Sequence, residues 1–404
     1  MLKPEEIRSG QFIDVYFPLI DGVVQTVHNY ALNMNKTSYS CVVCPKQKEE
    51  YDDAALPYDV FRELAVNIPG AEYTLAAPHL DVKLTQELMG KGCNIFHAHS
   101  PFFSGTYALT LAKKLEIPVV ATFHSKYRDD AMQYTRSSVA ADFVSKWVVG
   151  FYNLCDAVWA CSEGTAETLR SYGYKGQITV MTNGTSFRAP ANPDELRERA
   201  RETFSLPQGK HRLLFVGHQI WQKNLRLILD TFRLLCSESD DYRLTVVGTG
   251  IHETEIKDYA KAIGLTDEQV KFTGVIADRD LLSGVFLNHD LFFFPSVYDN
   301  TPLVVREAAA MGVPSLLTRG SNAAESVKPG VNGFVADENA LAMKNEIVRI
   351  FSQEGYVGQI GQKAKETIPI PWEVLIPRVY DEYAQIIDRK QFAIRYGEIK
   401  LRPF

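Results

Sequence analysis

The chain has 404 residues, a formal net charge of −6 and a hydrophobic content of 46%. This length exceeds what one hydrophobic core ordinarily supports, so we expect two domains of similar size. The acidic balance excludes a general affinity for nucleic acid, and it disfavours a whole-surface attraction to anionic lipid.

Short apolar segments alternate with segments of helical periodicity in both halves of the chain, which is typical of parallel sheets with crossover helices. In the first half, strands are predicted at 12–17, 39–43, 95–98, 119–122, 157–160 and 178–181, with helices at 23–32, 105–115, 139–154 and 165–172. In the second half, strands are predicted at 212–216, 244–247, 270–272, 291–294, 315–317 and 333–335, with helices at 225–235, 254–263, 278–286, 303–311, 322–325 and 340–352. A last long helix is predicted near 372–387.

The composition changes between the halves, where residues 186–210 hold three prolines and a run of Glu and Arg. We therefore expect an N-terminal α/β domain at 1–187, a linker at 188–210 and a C-terminal α/β domain at 211–370. The remaining helix and tail, 371–404, are expected to pack back on the N-terminal domain. Doubly wound sheets that face one another would leave a cleft at the carboxyl ends of their strands, where ligands bind in such folds.

The six cysteines are scattered and lie mostly in apolar runs, which indicates reduced thiols in a cytoplasmic protein. The first ten residues are charged and lack an apolar run, so no secretory signal is expected. The longest apolar stretch, 139–160, is interrupted by charged residues and is predicted not to cross a bilayer. His97 and His99 lack the companions of a metal site, and we expect neither a metal nor another cofactor.

Two acids, Asp299 and Glu307, flank the start of the helix that is predicted after the strand at 291–294. Thr301 is expected to cap this helix and Pro302 to take its first position. The free amides of the first turn and the positive end of the helix dipole would then bind a diphosphate. Asp299 would reach sugar hydroxyls and Glu307 a ribose, which predicts a nucleotide-sugar site. The alternative is that Asp299 starts a turn and Glu307 is a solvated helix residue.

The stretch from Phe294 to Pro314 resembles the acid-x7-Glu signature of the retaining glycosyltransferases of family 4, which have the two-lobed GT-B fold. Other segments similar to family motifs are 21–23, 122–124, 162–165, 182–184, 215–224, 246–250 and 332–335. They occur in the family's order from about residue 12 to about residue 387. The resemblance implies an α/β protein of the GT-B fold, with two facing Rossmann-like domains, a cleft between them and a C-terminal helix that crosses back.

The resemblance also implies which residues form the site. It assigns catalytic roles to His124, Lys223 and Asp299. Lys223 would neutralise the donor diphosphate as a compact point charge, and His124 would hydrogen-bond the transferred sugar through its ring or carbonyl. The implied donor contacts are Gly22, Gly217, His218, Lys223, Val275, Asp299, Asn300, Thr301, Leu303 and Glu307. The alternatives are a solvated lysine at position 223 and a buried structural histidine at position 124.

The sequence departs from the family pattern in three places. His218 stands where most members have Arg, Asp299 stands where Glu is usual, and Thr301-Pro302 replaces a Phe-Gly pair. Histidine carries only part of a positive charge near neutral pH and has no bidentate fork. Diphosphate binding is therefore expected to be weaker and more sensitive to pH.

We therefore expect a retaining glycosyltransferase that moves a hexosyl group, without a metal, from a nucleoside diphosphate sugar to a hydroxyl acceptor. A UDP-sugar is favoured as the donor, and the acceptor is a lipid or a glycan. The nucleotide-sugar would bind the C-terminal domain and the acceptor the N-terminal one. The alternatives are an accessory nucleotide-sugar-binding protein that has lost turnover, and a GT-B epimerase.

The stretch from His97 to Arg128 is similar to enzymes of this family that glycosylate diacylglycerol or other membrane lipids. Phe102, Tyr127 and Arg128 are the expected acceptor contacts. A weak peripheral contact with the inner face of a membrane is a further expectation, with the basic tail 389–404 as its candidate. The alternative for this tail is a basic segment that lies on an acidic body.

Overall fold

The structure is a computed structural model of the chain, and it describes residues 1–67 and 74–397. The chain divides into two compact units. One consists of Met1–Gly184 and the C-terminal segment that starts at Trp372, and the other is Thr185–Pro371. Residues 398–404 of the expected basic tail lie outside the described residues.

The first unit is built on a parallel sheet. Its strands are β1 (Ser9–Phe12), β2 (Ser40–Pro45), β3 (Val60–Glu63), β4 (Ala65–Asn67), β5 (Thr74–Ala76), β6 (Ile95–Ala98), β7 (Val119–Phe123), β8 (Ala157–Ala160) and β9 (Thr179–Val180). Its helices before the second unit are α1 (Gly22–Met34), α2 (Val82–Gly90), α3 (Phe103–Leu115), α4 (Tyr127–Thr135), α5 (Ser138–Tyr152) and α6 (Glu163–Ser171). Within the described residues, a seven-stranded sheet has the order β3-β2-β1-β6-β7-β8-β9, and β4 and β5 form a separate antiparallel pair.

The second unit is a second parallel sheet. Its strands are β10 (His211–Val216), β11 (Tyr242–Val247), β12 (Val270–Gly274), β13 (Leu291–Phe294), β14 (Ser315–Thr318) and β15 (Phe334–Ala336). Its helices are α7 (Pro193–Phe204), α8 (Leu225–Glu238), α9 (Glu253–Ala262), α10 (Arg279–Leu287), α11 (Leu303–Ala310), α12 (Ala340–Phe351) and α13 (Tyr356–Thr367). The described strands form a six-stranded sheet in the order β12-β11-β10-β13-β14-β15. The predicted α/β class is confirmed in both units.

The helix α8 shows why these segments fold as they do. It buries apolar residues three or four positions apart, which places them on one face of a helix: Leu225, Ile228, Leu229, Phe232 and Leu235. The strand β13 is buried along its whole length, as expected for a parallel strand with helices on both faces of the sheet. The strand ends from which the site loops begin are therefore anchored in the core of the second unit.

The last helix, α14 (Trp372–Arg395), belongs to the first unit although it follows the second unit in sequence. The Tyr383 hydroxyl lies 2.6 Å from His97 Nδ1, and the ring of Trp372 packs edge-on against Tyr30 at 5.3 Å between centroids. Trp372 and Tyr383 are both buried. The helix therefore completes the core of the first unit.

The chain passes between the units after Gly184 and again after Pro371. The main-chain amide of Thr185 donates to the carbonyl oxygen of Ile370 (2.8 Å), so the two connecting segments lie side by side. The segment 188–210, expected as a linker, lies in the second unit and contains α7, which packs against α10.

Several local predictions were wrong. The first strand spans Ser9–Phe12 instead of 12–17, because its polar residues are buried with hydrogen-bond partners, such as Ser9 Oγ with Ser40 Oγ at 2.9 Å. The segment 322–325 forms part of a 3-10 turn, Asn322–Ser326, instead of an α-helix. Seven of the described strands and α-helices were not predicted: β3, β4, β5, α2, α4, α7 and α13. In the described ranges, no helix is both long and apolar enough to span a bilayer.

A buried carboxyl group lies at the carboxyl edge of the first sheet. Glu63 ends β3 and is fully buried, and the Ser104 hydroxyl donates to its Oε2 (2.6 Å). Its Oε1 has no hydrogen-bond partner among the described residues. Burial raises the pKa of Glu63 to about 8, and the neighbouring Asp14 adds to this increase. Glu63 therefore keeps its proton near neutral pH.

Replacing Glu63 with Gln is expected to remove a pH-dependent loss of stability. The pKa of Glu63 is raised in the folded state. The contribution of Glu63 to the free energy of unfolding is therefore fully present below its ordinary pKa of 4.5, and it is lost as the pH rises to about 8. The neutral Gln has no such loss. Relative to the wild type, the variant should gain roughly 2–4 kcal/mol in free energy of unfolding between about pH 4.5 and about pH 9. Urea unfolding of both proteins at both pH values measures this difference. If the free energies of unfolding of the wild type and the variant changed equally with pH, Glu63 would be ionised in the folded protein and the prediction would be wrong.

Candidate active site

The predicted donor residues of the second unit lie at one edge of its sheet. Gly217 and His218 follow β10, Val275 follows β12, and Asp299 and Thr301 follow β13. Because parallel strands end at the same edge, the loops that carry these residues are neighbours. The strand order reverses between β10 and β13, and ligands of doubly wound sheets bind at such a reversal.

Lys223 and Asp299 meet across this reversal. The Lys223 ammonium forms an ion pair with Asp299 Oδ1, and the Ser296 hydroxyl donates to Asp299 Oδ2 (2.6 Å). The ammonium also lies 5.7 Å from the ring centroids of Phe294 and Tyr298. The two charged side chains are only 14% and 15% exposed, so solvent screens their attraction weakly. The structure therefore excludes a solvated lysine at position 223.

The position of Lys223 is set by the residue that follows it. Lys223 ends a short 3-10 turn, and Asn224 then adopts a left-handed conformation with φ of 63°. The Asn224 side-chain amide donates to the carbonyl of Pro295 (3.2 Å) and to the carboxylate of Glu338 (2.8 Å). Asn224 thereby ties the loop after β10 to the loop after β13, and α8 begins directly after it.

The loop after β10 also lies against the loop after β11. Gly248 has φ of 125°, and a Cβ at this position would lie 2.1 Å from the carbonyl oxygen of Gly217, so only glycine fits. Gln219 fastens the two loops, since its main-chain amide donates to Thr249 O (2.8 Å) and its side chain donates to Gly248 O (2.6 Å). His218 is exposed in the same turn.

The predicted cap of the helix after β13 was wrong by one residue, although the predicted range, 303–311, begins where the helix does. α11 begins at Leu303, and Pro302 is its cap residue in an extended conformation, with ψ of 125°. Asn300 is buried, and its Oδ1 accepts a hydrogen bond from the side chain of Asn322 (2.9 Å), so the loop is held up to this point. Thr301 caps nothing, and its Oγ1 is buried without a hydrogen-bond partner in the part of the chain that the structure describes. The amides of the first turn still lack partners within the helix, as in any α-helix.

Glu307 is not the solvated helix residue of the alternative interpretation. It is buried in α11, and Arg279 Nη2 donates to its Oε1 (2.8 Å). The Arg279 guanidinium lies 4.1 Å from the ring centroid of Phe187. The carboxylate is therefore held by an arginine from α10, and its contact with a ribose stays a prediction. Val275 is exposed after Gly274, and its contact with the base likewise stays a prediction.

In the first unit, His124 belongs to a chain of hydrogen bonds beyond the ends of β6 and β7. His99 Nε2 lies 2.9 Å from Gln11 Oε1, and His99 Nδ1 lies 3.1 Å from His124 Nε2. His124 Nδ1 lies 3.4 Å from Cys161 Sγ. Because the amide oxygen of Gln11 can only accept, His99 donates from Nε2 and accepts at Nδ1. His124 then donates from Nε2 and accepts at Nδ1.

The two histidines of this hydrogen-bond network, His99 and His124, are neutral. Burial lowers the pKa of His124 to about 3, and it lowers the pKa of His99 well below its usual value. His99 is also fully surrounded by protein, with its ring 4.0 Å from that of His97. His124 is therefore fixed in one tautomer with both ring nitrogens engaged, and its ring offers a ligand no positive charge.

Gly22 opens α1, whose first turn is capped by the Asp21 carboxylate through the amides of Val23 and Val24 (both 2.8 Å). A Cβ on Gly22 would meet no described atom within 4 Å. Packing within the protein therefore does not explain glycine at this position. A ligand that approaches the main chain would explain it, and this role stays a prediction.

The three expected acceptor residues are only partly brought together. The ring of Phe102 packs edge-on against that of Tyr127, with centroids 5.4 Å apart. Arg128 is instead ion-paired with Asp142 of α5 (2.9 Å), on the exposed surface.

Sequence reasoning missed Ser296, Gln219 and Arg279, which hold the predicted residues in place. Ser296 and Gln219 lie inside segments that resemble family motifs, but Arg279 lies outside them and carried no signal. Among the residues that the structure describes, no group of three or more His, Cys, Asp or Glu side chains is placed to hold a metal ion.

Comparisons with known proteins agree with this geometry. Residues 20–187 match the family described as Glycosyltransferase Family 4, and residues 196–367 match the family described as Glycosyl transferases group 1. The chain is 24% identical over 345 residues to an alpha-monoglucosyldiacylglycerol synthase of Streptococcus pneumoniae, covering 82% of this chain and 74% of the relative. It is 22% identical over 394 residues to a GDP-mannose-dependent alpha-mannosyltransferase of Corynebacterium glutamicum, covering 95% of this chain and 90% of the relative. A crystal structure of Anabaena HepE with UDP and glucose has a similar fold, with a TM-score of 0.74, 15% identity and coverage of 94% and 99%.

The two sheets, their reversal points and these matches define a glycosyltransferase with the GT-B fold. The chain carries a Glycosyltransferase Family 4 domain at residues 20–187 and a Glycosyl transferases group 1 domain at residues 196–367.

The left-handed Asn224 gives a direct test of how the Lys223 loop is built. Replacing it with Ala should lower the free energy of unfolding by about 1 kcal/mol more than replacing it with Gly, because a Cβ is strained in this conformation. Both variants lose the same side-chain hydrogen bonds, so the difference isolates the main-chain strain. Urea unfolding of the two variants measures it, and equal stabilities would argue against the left-handed conformation.

Proposed function

We propose that the protein transfers a hexosyl group from a nucleoside diphosphate sugar to a hydroxyl of a lipid or glycan acceptor, with retention at the anomeric carbon and without a metal. The observation that carries this proposal is the ion pair of Lys223 with Asp299, at the reversal of strand order in the second sheet. It unites a cation, an acid and the first turn of α11 at the edge where such sheets bind ligands.

The chemistry follows from charge. When the bond between the sugar and the diphosphate breaks, negative charge grows on the departing phosphate. The Lys223 ammonium and the amides at the start of α11 are fixed in advance, so they can stabilise this charge without reorganising. Ser296 holds one oxygen of Asp299 whether or not the ammonium remains on the other. Asp299 is therefore proposed to hold hydroxyls of the transferred sugar while the Lys223 ammonium, from its position beside Asp299, contacts the diphosphate.

Retention needs no nucleophilic side chain in this proposal. The departing diphosphate accepts the proton of the attacking hydroxyl on the same face of the sugar, so the protein supplies position, charge and exclusion of water. Both ring nitrogens of His124 have partners inside the first unit. We therefore assign its sugar contact to the main-chain carbonyl. Phe102 and Tyr127 are the proposed acceptor contacts.

A UDP-sugar is the favoured donor, and a GDP-sugar is the alternative. The solved structure of HepE holds UDP, whereas the Corynebacterium relative is named for GDP-mannose. A thermal shift panel of UDP, GDP, ADP and their sugars tests the choice, because a ligand of the folded state raises the melting temperature. Transfer with the preferred donor, followed by NMR assignment of the product anomer, tests retention. An inverted product, or no shift with any nucleotide, would contradict the proposal.

Lys223→Ala should lower kcat/KM about 30- to 1000-fold, which corresponds to a loss of roughly 2–4 kcal/mol of transition-state stabilisation. The expected cause is the loss of a fixed positive charge at the leaving group. Lys344→Ala is the matched control, because Lys344 is also in the second unit, is 13% exposed and is ion-paired with Glu238 (2.7 Å). Steady-state kinetics of both variants decide the role. Equal effects of the two substitutions would reduce Lys223 to a structural residue.

Thr301→Val tests the buried hydroxyl without a partner. The substitution should leave the free energy of unfolding unchanged or raise it, because no hydrogen bond is lost, while the donor KM rises about fivefold through a lost ligand contact. Thr318→Val is the control, since Thr318 Oγ1 donates to Pro295 O (2.8 Å) and its loss should destabilise the fold by about 1 kcal/mol. Denaturation and donor titration separate the two effects. An unchanged donor KM would remove Thr301 from the site.

A further inference from the structure

The helix α5 presents apolar side chains to solvent. Val139, Phe143 and Trp147 recur every fourth residue, so they form one line along the helix, here called the α5 stripe. They are 78%, 66% and 49% exposed, respectively. Exposed apolar residues scattered over a surface need no explanation, but a continuous stripe on one helix marks an interaction surface.

The α5 stripe ends beside the proposed acceptor contacts. The indole N–H of Trp147 donates to the carbonyl of Pro101 (3.1 Å). The same loop continues into Phe102, which packs against Tyr127, and into Phe103, which is itself exposed. The stripe is therefore continuous with the loop that we propose to receive the acceptor.

The charges around the stripe indicate what it binds. The segment 127–152, which spans α4 and α5, contains three basic and three acidic residues, so its formal charge is zero. A nucleic acid or a strongly charged protein would require an excess of one sign. Lys146 is exposed between Phe143 and Trp147 in sequence. Its apolar stem can lie along the stripe while its ammonium reaches a phosphate of a lipid headgroup.

The size of the stripe disfavours a second copy of the chain. Three partly exposed side chains and Phe103 offer on the order of 400 Å². A stable protein–protein interface buries about 800 Å² on each partner. A lipid surface needs no matching contour, and aromatic side chains are favoured where headgroups meet acyl chains.

We propose that the α5 stripe docks the first unit on a lipid bilayer, with Phe143 and Trp147 at the boundary between headgroups and acyl chains. The inference rests on the proposed function, because docking here would hold the acceptor loop at lipid headgroups. The attachment is mainly apolar and local to α5. It therefore differs from an electrostatic attachment through a basic tail, which salt would release.

The test is sedimentation of the full chain with phosphatidylcholine vesicles, with and without added phosphatidylglycerol, at low and at high salt. The stripe variant is Val139→Ser with Phe143→Ser. The matched control is Val374→Ser with Phe392→Ser on α14, which removes the same two residue types from another exposed face of the first unit, where they are 66% and 54% exposed. Circular dichroism confirms that both variants are folded.

The wild type and the control should bind phosphatidylcholine vesicles at both salt concentrations, and the stripe variant should bind at least about tenfold more weakly. Binding that needs phosphatidylglycerol and disappears in high salt would overturn the proposal. So would equal binding by the stripe variant, or a concentration-dependent dimer that only the stripe substitutions abolish. The nucleotide thermal shifts need no vesicles, so a failure there removes the proposed function while the vesicle result still decides the docking surface.

Discussion

The ion pair of Lys223 with Asp299 is the constraint around which the edge of the second unit is organised. A lysine and an aspartate so little exposed are stable only together, because removing one leaves the other charged and poorly solvated. The surrounding structure keeps them together. The 3-10 turn ends at Lys223, and the Asn224 side chain joins that turn to the loop after β13 by a hydrogen bond. The Ser296 hydroxyl donates to the Asp299 carboxylate. A diphosphate would meet a cation whose position is already fixed.

The two units use their strand-order reversals in different chemical ways. In the second unit, the reversal is spanned by opposite charges. In the first, β1 and β6 meet at the reversal, and a neutral hydrogen-bonded chain runs from Gln11 in β1 through His99 to His124. Neutral rings can be buried at low cost when each nitrogen has a partner, whereas isolated charges cannot. The charged edge suits a diphosphate, and the neutral edge suits the hydroxyl groups of sugars.

Much of this arrangement could be predicted from the sequence, because alternating apolar segments specify parallel sheets and the motif around Asp299 lies where one strand ends. The first strand could not be placed, since Ser9 and Gln11 are polar and their burial depends on partners distant in sequence. The same reason hid the contact of Arg279 with Glu307, which are 28 positions apart. The cap of α11 was misplaced because proline suits both the cap and the first turn, and the contacts of the preceding loop decide between them.

The return of α14 to the first unit has a consequence for how the protein is made. The second unit is one continuous stretch, complete once residue 371 has left the ribosome. The first unit begins earlier but must wait for Trp372 and Tyr383 before the surfaces around Tyr30 and His97 are covered. The half that is translated first is thus the last to be finished. A premature stop codon shortly after residue 371 would therefore spare the second unit and leave the first unit without its final layer.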